Sequence, residues 1–163
     1  MEEMIPVEVV GVRIEMPSNQ PIVLLKELEG SRFLPIWVGA VEATAIAFSQ
    51  QGLTPGRPMT HDLIASLVEE FGATVTAIHI TELREGVFYA TILARDGQAK
   101  GHAIDARPSD AIALALRVKA NILVTKSLLE SAGIEIPMES GEENELEKFR
   151  EFLNEINPED FAG

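Results

Sequence analysis

The apolar pattern predicts an α+β domain, with a mixed, mainly antiparallel sheet built from two strand meanders and packed with buried, Ala-rich helices. Two observations carry this. Residues 7–38 and residues 74–105 each hold three apolar or alternating runs separated by turn clusters. Each set is followed by a helical segment with almost no polar side chains, at residues 41–48 and 111–116. The chain has 163 residues, 46% of them hydrophobic, enough for one well-buried core and too few for two ordinary domains.

In order along the chain, residues 7–16 alternate, with Val10, Val12, Ile14 and Met16 on one face. Pro17-Ser18-Asn19-Gln20-Pro21 is a turn cluster, residues 22–28 a second strand and residues 33–38 a third. That third strand is apolar on both faces, so it is expected to be central or covered, and Trp37 is its candidate for a subunit contact. After Gly39 comes a helix over 41–48 with Glu42 as its one charge. A second helix over about 60–71 is expected to be capped by Thr60 and closed by Gly72. Strands over 74–81, 87–94 and 98–105 form the second meander, with turns at Glu85-Gly86 and, more strongly signalled, Asp96-Gly97. A short strand over 122–125 and a short helix ending at Gly133 follow the buried helix. Arg57-Pro58-Met59-Thr60-His61-Asp62 echoes Arg107-Pro108-Ser109-Asp110. The echo fits an internal duplication, and equally the general abundance of proline and capping hydroxyls at helix starts.

Residues 1–138 form the expected domain, and residues 139–163 an acidic linker followed by an amphipathic helix carrying Leu146, Phe149 and Ile156. That helix either lays its apolar stripe on its own core or docks on a partner chain. The net charge is −13, of which −7 belongs to residues 139–163. Such a balance argues against general attraction to phosphate polymers, so a nucleic-acid role needs a local site, helped by a bound cation. The absence of cysteine excludes disulfides, a thiolate nucleophile and thiolate zinc sites. With no long apolar run and no signal-peptide pattern, the expectation is a cytoplasmic protein with no membrane contact.

Chemistry concentrates at Asp105-Ala106-Arg107-Pro108-Ser109-Asp110, where a strand hands over to the buried helix. Asp105 and Asp110 are suited to Mg²⁺ or Mn²⁺, which prefer oxygen ligands; alternatively, Asp110 merely complements the helix dipole. Arg107, held extended by the following proline, either clamps a phosphate or pairs with Asp110 or Glu42. Ser109 is read as a cap rather than a nucleophile, having no histidine beside it in sequence. His61 and Asp62 are adjacent on a helix, about 100° apart, so they do not form a dyad within it. Asp62 suits the first helical turn, which leaves His61 as the general acid/base candidate. His79 and His102 are read as ordinary strand residues.

At these residues the chain resembles the bifunctional nuclease family of bacteria and plants, with a tail like that of actinobacterial members. The likeness lies in Leu34-Pro35-Ile36-Trp37-Val38-Gly39, Glu42-Ala43, Arg57-Pro58-Met59-Thr60-His61-Asp62-Leu63 and the run from Asp105 to Ala115. The resemblance implies a compact α+β domain, a homo-oligomer, and cleavage of both DNA and RNA. It also implies that the shared polar residues are Glu42, His61, Asp62, Asp105, Arg107, Ser109 and Asp110. Chemistry then suggests the roles: Asp105 and Asp110 with Glu42 hold Mg²⁺ or Mn²⁺, His61 moves protons and Arg107 holds the scissile phosphate of a nucleic-acid substrate. The competing reading is a non-catalytic oligomeric binding or regulatory module, in which the same motif is a buried ion-pair network.

Overall fold

The structure, a computed structural model, describes residues 2–135, so the expected linker and C-terminal helix lie outside the described residues. The first meander is β1 (Met4–Glu15), β2 (Gln20–Glu27) and β3 (Arg32–Trp37), followed by α1 (Ala40–Gln50) and α2 (Thr60–Glu70). The second is β4 (Thr74–Arg84), β5 (Val87–Arg95) and β6 (Gly101–Ala106), followed by α3 (Pro108–Val118). The described chain closes with β7 (Asn121–Thr125), α4 (Lys126–Ala132) and β8 (Ile134–Glu135).

All eight strands form one sheet in the order β6-β5-β4-β7-β1-β2-β3-β8. Neighbours pair antiparallel except β4 and β7, which run parallel. The short strand β7 therefore splices the two meanders into a continuous sheet. Ile122 and Val124, on one face, are buried, and Leu123 on the other is half-buried. Each meander feeds a helix directly, giving a βββα unit twice. The two Arg-Pro pairs are not equivalent within that repeat, because Arg57-Pro58 precedes the second helix after its meander and Arg107-Pro108 the first.

Pairing sorts the side chains by face. Val23 lies opposite Ile36 and Leu25 opposite Leu34, and these four join the core with Ala43 and Ile46 of α1 and Ile112 and Leu114 of α3. The alternate residues Ile22 and Trp37 pair on the other face. β3 is penultimate in the sheet rather than central, with β8 covering it only at Arg32 and Phe33. Trp37, beyond that cover, is 52% exposed.

The unbroken apolar run of α3 is buried as expected: Ala111, Ile112, Ala113, Leu114 and Ala115 are all shielded. Alanines on α1 and α3 let the two helices and the sheet approach closely. Glu85 and Gly86, both at positive φ, make the tight turn between β4 and β5. The Asp96-Gly97 turn is wider than a two-residue hairpin. Asp96 Oδ1 accepts the N–H groups of Gln98 and Lys100, and the loop runs to Lys100 before β6 begins. On α2, Leu63, Leu67 and Phe71 form an exposed stripe at four-residue spacing. Among the described residues no helix is long and apolar enough to cross a membrane.

Because Ala113 is fully buried, Ala113→Leu should overpack the helix layer and cost about 1–3 kcal/mol in urea unfolding. An unchanged midpoint would show that the layer has room to spare.

Candidate functional site

The site is built at the start of α3. Pro108 takes the first helical position, where its missing N–H is not needed and its fixed φ suits the helix. Arg107 is consequently the cap residue, extended at φ −70° and ψ 142°, and Ser109 falls at the second helical position instead of capping. Arg107 Nε donates to Asp110 Oδ2 at 2.8 Å, and its Nη2 donates to Glu42 Oε1 of α1 at 2.5 Å. These bonds raise the Arg107 pKa, Asp110 contributing more than Glu42, so the guanidinium stays charged. Glu42 sits in the first turn of α1 with its carboxylate folded over Gly39, where a Cβ would collide with it.

The other oxygen of Asp110, Oδ1, lies 2.9 Å from His61 Nε2. The result is a continuous chain, His61–Asp110–Arg107–Glu42, drawn from three helices. Exposure rises to Arg107 and falls again beyond it: the His61 side chain is 5% exposed, Asp110 31%, Arg107 65% and Glu42 13%. His61 thus braces Asp110 from behind, while Arg107 faces outward. A cleft of about 440 Å³ opens beside it, lined by Trp37, Gly39, Phe88, Arg107 and Ser109 among others.

Asp62 belongs to a different arrangement. Met59, not Thr60, occupies the cap of α2, and Asp62 Oδ2 accepts the Met59 N–H at 2.9 Å. Its Oδ1 takes the Nε–H of Arg117 at 2.7 Å. Arg117 also donates to the carbonyls of Ala113 and Ala45, so one guanidinium ties α1, α2 and α3 together. Burial works against the Asp62 carboxylate. The Met59 N–H and Arg117 outweigh it and hold the Asp62 pKa below the usual range.

Asp105 lies exposed on the edge strand β6, opposite Thr91, and its carboxylate makes no hydrogen bond or ion pair with the other described residues. Among the described residues no group of three or more His, Cys, Asp or Glu is arranged to hold a metal ion. The expected trio of Asp105, Asp110 and Glu42 therefore does not assemble, although Glu42 and Asp110 meet on Arg107. His102 pairs with Asp96 at the surface, and His79 lies within β4 between Thr91 and Leu123, with no hydrogen bond or ion pair to the site residues. Sequence reasoning passed over Arg117, whose one signal was a charge in the last turn of an otherwise apolar helix. It also left out Phe88 and the cleft-side placement of Trp37.

These features define an α+β domain with an acid–arginine–histidine chain at the rim of a cleft. The chain belongs to the bifunctional nuclease domain family, whose match covers residues 23–137 and so includes all seven candidate residues. It is 48% identical over 162 residues to an uncharacterized protein of Mycobacterium tuberculosis, across 95% of this chain and 96% of that one, which sets it with the actinobacterial members. It is 30% identical over 127 residues to bifunctional nuclease 1 of Arabidopsis thaliana, and 26% identical over 128 residues to bifunctional nuclease 1 of Oryza sativa subsp. japonica. Those alignments take in 76% and 77% of this chain but 39% of each plant protein, so the chain spans about two fifths of the plant relatives.

Because the folded pKa of Asp62 is depressed, its stabilisation is present above the unfolded value of about 3.9 and is lost as pH falls below it. Asp62→Asn should lower the melting temperature at pH 7 and narrow its gap to the native protein toward pH 3. A gap that stays constant between pH 7 and pH 3 would remove Asp62 from this role.

Proposed function

We propose that the protein is a nuclease that hydrolyses phosphodiester bonds of DNA and RNA at the mouth of α3. The observation that carries this reading is the exposed Arg107 guanidinium, set between two carboxylates beside an open cleft. The family match and the names of the plant relatives support it. Arg107 holds the scissile phosphate through its planar fork of donors, exchanging its carboxylate partners for phosphate oxygens. In the hydrolysis a water oxygen bonds to phosphorus, the bond from phosphorus to the leaving oxygen breaks, and the water proton passes to Asp110 and from there to the leaving oxygen, giving a phosphomonoester and a free hydroxyl. His61 is too enclosed to meet the substrate, and its role is to orient Asp110.

Two carboxylates against one guanidinium leave the site with a surplus negative charge, which a phosphodiester would resist. This favours a divalent cation. Mg²⁺ commonly binds through one or two carboxylates plus substrate phosphate, and in this reading Glu42 and Asp110 would supply them, without Asp105. Bound there, Mg²⁺ or Mn²⁺ would neutralise phosphate charge and make water more acidic.

The structural reading of the motif has less support. Among these pairs, the enclosed helix-linking ones are Arg117–Asp62 and His61–Asp110, and the Arg107 guanidinium itself is mostly in solvent. Exposed pairs contribute little to stability.

Metal-stripped protein with Mn²⁺ or Mg²⁺ restored should cut fluorescent single-stranded RNA and DNA. Asp110→Asn and Glu42→Gln should each slow cutting by roughly 100-fold or more while melting as one cooperative unit. Undiminished cutting by both folded variants would show that the chemistry lies elsewhere or belongs to a contaminant.

A further inference from the structure

We propose that Trp37 is the platform on which a base of the nucleic-acid strand stacks while Arg107 holds the neighbouring phosphate. This rests on the nuclease reading above and names the residue that positions the substrate. Trp37 departs from the rest of its strand. Phe33, Leu34 and Ile36 are at most 2% exposed, whereas the indole is 52% exposed at the edge of the cleft that Arg107 and Ser109 also line. A large aromatic left half exposed at the end of a strand contributes little to packing and leaves much of its surface free for contact.

The ring is also held in place. Its Nε1–H donates to Glu15 Oε2 of β1 at 3.1 Å. The backbone just beyond it is pinned twice: the Val38 N–H donates to the Pro21 carbonyl at 3.0 Å, and the Gln20 side-chain amide donates to the Val38 carbonyl at 3.0 Å. A ring fixed in this way loses little freedom when a base lies on it. Space is available on the Gly86 side of the cleft, where open room surrounds the Cβ position, whereas the Glu42 carboxylate covers Gly39. Across the sheet, Trp37 pairs with Ile22 and Ile22 with Arg13, placing all three on one face in a lateral row. Arg13, exposed and with no ionic partner among the described residues, gives this face of the sheet a cation of its own, apart from Arg107 in the helix layer. Aromatic faces flanked by cations bind unpaired strands with little sequence preference, since every base has a π-face.

Trp37 is the only tryptophan in the chain, so its fluorescence reports the site directly. The full-length protein is titrated with an eight-nucleotide oligothymidylate whose phosphorothioate linkages resist hydrolysis, and with an abasic strand of the same length. The thymidylate should quench Trp37 saturably, with the same midpoint as the anisotropy of a labelled copy, and the abasic strand should not. Trp37→Ala should weaken thymidylate binding roughly tenfold, and Trp37→Phe should restore most of it. Undiminished binding by Trp37→Ala, with no quenching in the native protein, overturns the stacking role and leaves the nuclease reading intact. No binding of any strand in low salt, with or without Mg²⁺, overturns both. Fluorescence that changes with protein concentration and ignores the oligonucleotide assigns the ring to a subunit contact and overturns the stacking role.

Discussion

Three helices in this domain converge on the guanidinium of Arg117, and their relative placement depends on it. Its Nε–H is taken by Asp62 of α2, one Nη by the Ala45 carbonyl of α1 and the other by Ala113 of its own helix. The Arg117 side chain is only 9% exposed, so these partners are not readily replaced by water. A cation so enclosed is tolerable only when its donors are satisfied, and losing one member of such a set costs several kcal/mol. The arrangement fixes where the N-terminus of α2 lies against α3. That in turn sets His61 against Asp110, and through Asp110 it orders the outward-facing pair with Arg107.

Two arginines on one motif thus divide the work. Arg117 is the inner one, and its energy goes into holding helices in register. Arg107 is the outer one, charged and mostly solvated, and its bonds to Glu42 and Asp110 hold it at the cleft edge. With a net charge of −13, general electrostatics would repel a polyanion, so the proposed nuclease reading requires local recognition: a guanidinium, a stacking surface and a cation held by two carboxylates.

Much of the fold was legible because period-two alternation and turn chemistry are local signals. Both meanders and the burial of α3 followed from them. The insertion of β7 between β4 and β1 was not legible, because pairing order within a sheet leaves no mark on a five-residue apolar run. The site was half legible. The cluster around Arg107 is contiguous in sequence, and its polar density stood out. Its partners are not contiguous: Glu42 lies 65 residues away and His61 49. Helical spacing alone correctly separated His61 from Asp62 but could not show that one faces Asp110 and the other Arg117. Asp105 reads in sequence as a metal ligand because its carboxylate shares one strand–helix junction with that of Asp110, yet it is carried on an edge strand, away from the carboxylates that meet on Arg107. Trp37 stood out for its strand with two apolar faces, and only the bend of the chain around Gly39 shows that it borders the cleft.

The most direct test is a parallel measurement of melting temperature and cleavage rate on Arg117→Ala and Arg107→Ala. Arg117→Ala should lose about 3 kcal/mol, or roughly 10 °C in Tm, because it breaks an enclosed pair. Arg107→Ala should melt within about 3 °C of the native protein and lose cleavage by roughly 100-fold or more. The opposite pattern, with Arg107→Ala strongly destabilised and its folded fraction still cutting at the native rate, would contradict the division of roles. The motif would then be architecture, and the cleft would not be the site of reaction.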